Sequence, residues 1–221
     1  MSMLSTPRRV AGQIKYRVAL LRDRARFWLK VASKLVIKTN KRRWAKVARN
    51  PKPHWDERNQ YIASLIPAGS SVIDLGCGPQ TLRRHLAPGC TYQPCDVVKS
   101  TPDVIYCNFN DGVYPSVSMS YDYVVCSGVI EYVLDPLEFV RKNTRLGRQT
   151  ILSYNPFNKD RGDSKVVRLE CDWVNHLTRE EMDALFVAAG VEAKVLRVAQ
   201  VGDTAYTKPG ETVYLLRPKT A

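Results

Sequence analysis

The stretch that most constrains this chain is Val72-Ile73-Asp74-Leu75-Gly76-Cys77-Gly78-Pro79. A short apolar run that ends in an acid and a Gly-x-Gly turn reads as a buried strand delivering a tight turn. The amphipathic run Gln80 to Leu86 then reads as a helix. A strand, a glycine turn and a helix N-terminus present backbone N–H groups to a ligand, so the unit predicts a nucleotide-type cofactor site. Gly76 and Gly78 lack the third glycine that lets a helix approach a pyrophosphate, because Pro79 and Gln80 occupy that region. That spacing disfavours a dinucleotide.

Around this unit the chain alternates between the two structural periods. After the strand Ser71–Leu75, strands are predicted over 91–98, 103–107, 121–126, 149–154, 191–198 and 211–216. Helices are predicted over 54–66 and 129–146, and from Thr178, a capping residue with Glu181 three positions on, to the Gly190 stop. The pattern is an α/β chain with a mostly parallel sheet closed by an antiparallel pair. Residues 155–176 read as a long irregular connection, and Val201 to Gly210 as a polar excursion. Six cysteines without a Cys-x-x-Cys pair argue against zinc and for small buried side chains in a reducing compartment. No metal site is expected.

The formal charge of +13 is unevenly distributed. Residues 1–60 carry 17 Lys and Arg against three acids, Asp23, Asp56 and Glu57, and the remainder is almost neutral. The chain therefore divides into a basic extension with linker, 1–53, and a globular domain, 54–221. Met1 to Arg9 is polar and expected to be disordered. From Val10 to Ile37 the apolar residues Ala11, Ile14, Val18, Leu21, Ala25, Trp28, Ala32 and Leu35 recur at the helical period. Leu20, Phe27 and Val31 widen that face, and Lys15, Arg22, Arg26, Lys30 and Lys34 lie opposite. Such a helix packs on its own domain or a partner helix, lies on an anionic membrane surface, or contacts nucleic acid. Its aromatic and leucine content suits a bilayer interface. Lys38 to Lys52, ending at Pro51 and Pro53, reads as the linker. No run is apolar enough to span a membrane and no signal peptide is apparent, so a cytoplasmic protein, peripheral at the inner face of a membrane, is expected.

Five elements in order give the chain its likeness. They are Val72 to Gly78, the acid Asp96, Asn108-Phe109, Tyr121 to Val133 (Tyr-Asp-Tyr-Val-Val-Cys-Ser-Gly-Val-Ile-Glu-Tyr-Val) and Asn175-His176-Leu177-Thr178. Over residues 55–217 the chain resembles the class I S-adenosylmethionine-dependent methyltransferases. Leu146 to Phe157 is similar to the corresponding stretch of the small methyltransferase-like proteins of the methionine-biosynthesis W group. The resemblance implies a Rossmann-like seven-stranded sheet with helices on both faces, and S-adenosylmethionine as cofactor. It implies that Asp74 meets the cofactor's ammonium and orients the glycine loop. Gly76, Cys77 and Gly78 would run against the methionine and ribose, and Asp96 would hold the ribose hydroxyls. Asn108 would read the adenine amino group, with Asn110 or Asp111 as substitutes, and the Phe109 backbone would serve the ring. Ser127, Gly128 and Val129 would line the methionine end.

Methyl transfer from a sulfonium is an in-line displacement, so holding the acceptor close and aligned dominates. A base is needed only where the acceptor must lose a proton. His176, Glu131 and Tyr154 are the expected catalytic residues, with Tyr132 and Asp172 as further candidates. Asn155-Pro156-Phe157 follows the fifth strand, whereas the similar motif of amino-nucleobase methyltransferases follows the fourth. The expected activity is methyl transfer to an oxygen or nitrogen of a small-molecule, lipid-linked or glycan-linked acceptor, with residues 10–50 meeting an anionic membrane surface or a protein partner. The alternatives are an RNA- or DNA-modifying enzyme that grips phosphates with the basic arm, and a non-catalytic methyltransferase-like partner protein.

Overall fold

The computed structural model describes residues 7–50, 52–117, 120–200 and 209–219. Residues 1–6, Pro51 and most of the 201–210 excursion lie outside the described residues, as do the side chains of Ala11, Ile14, Lys15, Leu20, Lys30, Lys34 and Leu35. The elements in chain order are α1 (Pro7–Val36), α2 (Lys41–Ala48), α3 (Pro53–Ser64), β1 (Ser71–Leu75), β2 (Thr91–Asp96), β3 (Ile105–Tyr106), β4 (Tyr121–Ser127), α4 (Pro136–Asn143), β5 (Gly147–Tyr154), α5 (Lys165–Glu170), α6 (Arg179–Ala189), β6 (Val191–Val198) and β7 (Thr212–Pro218).

The seven strands form one sheet in the order β3-β2-β1-β4-β5-β7-β6. The pairs from β3 through β5 are parallel, and β7 runs antiparallel to both β5 and β6. Strand order reverses between β1 and β4, so the crevice of the sheet opens at their carboxyl ends.

Alternation along the central strands builds a core on each face. Ile73, Val124, Cys126, Leu152 and Tyr214 point to the side that packs with Phe139, Met182 and Phe186 of α4 and α6. Their neighbours Val72, Val125, Ile151 and Val213 point to the side covered by Ile62, Ala63 and Ile66. Thr178 caps α6 with the full capping box, accepting from the Glu181 N–H, and Gly190 ends the helix at φ 75°.

The structure departs from the sequence reading at five places. The helix expected over Gln80 to Leu86 is only a 3₁₀ turn, Leu82–Arg84, because Gln80 takes a left-handed φ of 57°. A helix dipole is therefore not available to the glycine turn. The helix expected over 129–146 is split: Ile130–Tyr132 is a 3₁₀ turn and α4 starts afresh at Pro136, capped by the Asp135 carboxylate. The connection 155–176 contains α5, and the stretch read as a linker contains α2. Cys95 and Cys107, at the ends of neighbouring strands with Cα atoms 6.0 Å apart, form a disulfide, whereas the sequence favours a reducing compartment with most cysteines as small buried side chains.

Candidate functional site

The crevice at the ends of β1 and β4 is a row of neighbouring spaces that share lining residues. Its floor is the glycine turn. Gly76 holds φ 76°, and a Cβ there would lie 2.5 Å from Cγ2 of Val129, so the backbone passes under the β4 loop at a distance only glycine permits. Gly78 is different: at φ 50° its missing Cβ points into open space on the crevice side, leaving a cradle that a larger residue would fill.

Two buried carboxylates flank this floor. Asp74 accepts the Tyr92 hydroxyl at 2.6 Å. Burial, reinforced by the neighbouring Asp96 charge, pushes its pKa up to about 7, against the opposing pull of the Tyr92 hydrogen bond and the Arg58 charge. Asp96 receives the Gly78 N–H on one oxygen at 2.9 Å and the Val98 N–H on the other at 2.8 Å, which locks it beneath the turn. Burial raises its pKa too, with those backbone donors opposing. Each oxygen retains a lone pair for a further donor such as a ligand hydroxyl.

From this floor one arm of the crevice runs between Asn108, Phe109, Val129 and Val133. Phe109 is held edge-on by Phe139 at 4.9 Å between ring centres. The Asn108 amide is already engaged: it donates to Asp111 at 2.5 Å and accepts from Thr39 at 2.8 Å. Asn110 donates to the Lys38 and Tyr132 carbonyls and accepts the Leu134 N–H. Both substitutes for Asn108 are thus committed within the protein.

Thr39 introduces what the sequence reading did not foresee, a roof. Lys41 donates to the Tyr106 hydroxyl at 2.6 Å, and Arg43 pairs with Asp172 at 2.7 Å while donating to the Glu170 and Cys171 carbonyls. These clamps hold α2 across the crevice, where Trp44 meets the Tyr132 ring edge-on at 4.5 Å and lines both the Phe109 arm and the glycine turn.

The opposite arm starts at Ser127 and Gly128. Arg58, on α3, donates to the Ser127 hydroxyl at 2.7 Å and to the Ser127 carbonyl, and pairs with Glu211 at 2.5 Å. Asn59 accepts from the same hydroxyl and donates to Thr81. A Cβ at Gly128 would strike the Arg58 guanidinium, so the arginine lies flat on the β4 loop. Beyond it, Trp55, Arg58, Glu131, Tyr132, Asn155 and Trp173 enclose a chamber that shares Trp55, Arg58 and Tyr132 with the glycine-turn space. Glu131 is 2% exposed. Its Oε1 accepts the Asn155 N–H at 3.2 Å, while Oε2 is buried with no hydrogen-bond partner. Burial is the main cause of its raised pKa.

All ten expected cofactor residues, Asp74, Gly76, Cys77, Gly78, Asp96, Asn108, Phe109, Ser127, Gly128 and Val129, line this crevice. Of the three expected catalytic residues only Glu131 does. Tyr154 is fully buried, and its hydroxyl is spent on the Leu177 N–H and the Arg168 guanidinium at 2.9 and 3.1 Å. His176 lines a separate groove with Phe27, Val31 and Leu169, and burial together with Arg168 and Lys165 lowers its pKa. Tyr154 ends β5 with its side chain in the core, and His176 sits on the β5 to α6 connection in its separate groove, a separation that sequence order could not reveal. Arg58, Trp44, Trp55 and Glu211 were missed because they come from helices and a strand remote in sequence. An arginine amid the apolar residues of a predicted helix was the one available signal for Arg58.

The fold is shared with solved methyltransferases. A chain of the complex between the Haloferax volcanii Trm112 methyltransferase activator and a methyltransferase superposes with a TM-score of 0.57 at 16% identity, covering 83% of this chain and 97% of that one. The plantazolicin methyltransferase BpumL, solved with a monoazolic desmethylPZN analog and SAH, gives 0.56 at 12% identity over 90% of this chain and 99% of that one. The N-terminal domain of EvdMO1, solved in the presence of SAH and D-fucose, gives 0.54 at 14% identity over 77% and 85%. These likenesses carry the fold. In sequence, the bifunctional methionine biosynthesis protein MetXA/MetW of Rhodopirellula baltica is 31% identical over 44% of this chain, and the match spans 19% of that longer protein. The family described as methionine biosynthesis protein MetW matches residues 56–168, the segment that carries the glycine turn, Asp74, Asp96, Asn108 and the Glu131 loop. By that match, over half of its length, the chain belongs to the MetW family.

Proposed function

We propose that this chain is an S-adenosylmethionine-dependent methyltransferase acting on an oxygen or nitrogen of a small molecule, free or carried on a lipid or glycan. The observation that carries the reading is the row of crevice spaces that share lining residues, from the Phe109 arm over the Asp96 and Asp74 carboxylates to a chamber lined by Glu131, whose buried Oε2 has no hydrogen-bond partner. The shape and chemistry fit the cofactor: an apolar slot for a flat ring, a carboxylate for a diol, a carboxylate for an ammonium, and a glycine cradle between them. Bound S-adenosylmethionine supplies an electrophilic methyl group on its sulfonium.

The protein's own residues do the rest. Trp44 and the clamped α2 exclude water from above, and Val129 holds the turn from the other side. Arg58, fixed by Ser127 and Glu211, separates the methionine end from the acceptor chamber. The Glu131 carboxylate is the acceptor for the hydroxyl or ammonium proton that leaves as the methyl is received, and burial raises its pKa. The chamber's indoles, Trp55 and Trp173, suit a compact acceptor with an apolar face. The structural likenesses solved with SAH, one in the presence of D-fucose and one with a monoazolic desmethylPZN analog, support this reading.

The test is calorimetric titration of S-adenosylmethionine into the wild type, Asp96→Ala and Glu131→Gln. The expected result is binding by the wild type, at least about tenfold weaker binding by Asp96→Ala, and unchanged binding by Glu131→Gln. Absence of binding by the folded wild type refutes the reading. Labelled-cofactor incubation with extract then identifies the product, whose formation Glu131→Gln slows by about a hundredfold or more.

A further inference from the structure

The sequence assigned α1 a single apolar face, and the structure divides it in two. Phe27 and Val31 turn inward to the groove formed with Leu169 and His176. Val18, Leu21, Trp28, Leu29 and Val36 turn outward, with Leu21 65%, Trp28 64% and Leu29 70% exposed. At about 100° per residue these five, with the exposed Ala25 and Ala32, fall within an arc of roughly 100°, centred some 130° from the inward pair. Exposed arginines border the arc on both sides, Arg17 and Arg24 along one edge and Arg22 and Arg26 along the other. Exposed apolar residues scattered singly need no explanation, but a stripe that runs five turns along one helix does.

We propose that this stripe is a docking surface for an anionic phospholipid bilayer, with α1 lying in the interface plane. Charge decides among the possible occupants. A second copy of the same helix would bring arginine borders against arginine borders, which is unfavourable. A nucleic acid would use the cations but leave Trp28 and Leu29 in water. An anionic bilayer takes both, with the apolar arc sunk to the acyl boundary and the arginines at the headgroups. None of the described helices is long and apolar enough to cross a membrane, so the association is peripheral. Only Ile37 to Asn40 separates α1 from α2, so the docked helix is joined directly to the roof of the crevice.

The surface does not depend on methyl transfer, and its test reads binding alone. The full chain is floated with vesicles of phosphatidylcholine, with and without phosphatidylglycerol, at low and high salt, beside Trp28→Ala/Leu29→Ala and the control Val187→Ala, an exposed valine on α6. The expected result is binding to the phosphatidylglycerol vesicles alone, weakened by salt, reduced at least about tenfold by the double variant and unchanged by the control. Circular dichroism of all three proteins confirms that the fold is retained. Failure of the wild type to float with anionic vesicles, or equal flotation of the double variant, overturns the proposal. So does a concentration-dependent dimer, seen by sedimentation, that the double variant abolishes.

Discussion

With Asp74 beside the cofactor's ammonium, as proposed, its protonation would make cofactor affinity a function of pH, and the size of the effect follows from its surroundings. Burial and the Asp96 charge hold its pKa near 7 in the ligand-free protein, against an ordinary value of 3.8. An ammonium placed beside it favours the ionised form, so binding must expel the proton from any molecule still carrying it. With only the ionised form competent, the available fraction is about 0.1 at pH 6 and about 0.75 at pH 7.5. A ligand α-amino group with a pKa of about 7.8 loses part of its own charge over the same interval, which trims the gain. The dissociation constant for S-adenosylmethionine should therefore tighten by about fivefold from pH 6 to pH 7.5 and weaken again above about pH 8. Calorimetry at pH 6.5 in two buffers of different ionisation enthalpy should show release of about 0.7 proton on binding. The sign for stability is opposite. A carboxyl whose folded pKa is raised binds its proton more tightly in the native state, so its contribution falls as pH rises from about 4 to about 7. The cofactor-induced rise in Tm should then be larger at pH 7.5 than at pH 6. Asp74→Asn should bind more weakly and without pH dependence between 6 and 7. A wild-type constant that is flat across that interval, or an equal slope in Asp74→Asn, would refute the reasoning.

Two further perturbations probe the frame around the site. Arg58→Ala strands the buried Glu211 carboxylate and should cost about 3–5 kcal/mol, lowering Tm by at least about 6 °C, while Arg58→Ala/Glu211→Ala should recover part of that loss in the same melts. Thr178→Ala removes one half of the α6 capping box and should cost about 1 kcal/mol, a fall of about 2–4 °C, with S-adenosylmethionine affinity unaltered because α6 lies away from the crevice.

What the sequence determined by itself is local or periodic. The run Val72 to Gly78 specifies a buried strand and a left-handed turn because its apolar residues and two glycines admit little else, and β1 with Gly76 at φ 76° follows. Alternating apolar runs specify the strands, and the resemblance carried by five ordered motifs specifies their arrangement, so the ten residues found lining the crevice were legible before any coordinate. Thr178, Glu181 and Gly190 mark α6 at both ends because capping is satisfied within four residues. Only the tertiary structure decided the rest. Glu131, on the turn after β4, lines the crevice, whereas Tyr154 at the end of β5 spends its hydroxyl on Leu177 and Arg168 and His176 on the β5 to α6 connection lines a separate groove, and only long-range packing separates the three. The basic stretch after α1 became a roof rather than a linker through Thr39, Lys41 and Arg43, whose partners Asn108, Tyr106 and Asp172 lie at least 65 residues away in sequence. The face of α1 was visible as a period, but its division into a packed and an open side required the groove that receives Phe27 and Val31. Periodicity records that a face is apolar; the neighbours that bury it are set by long-range packing.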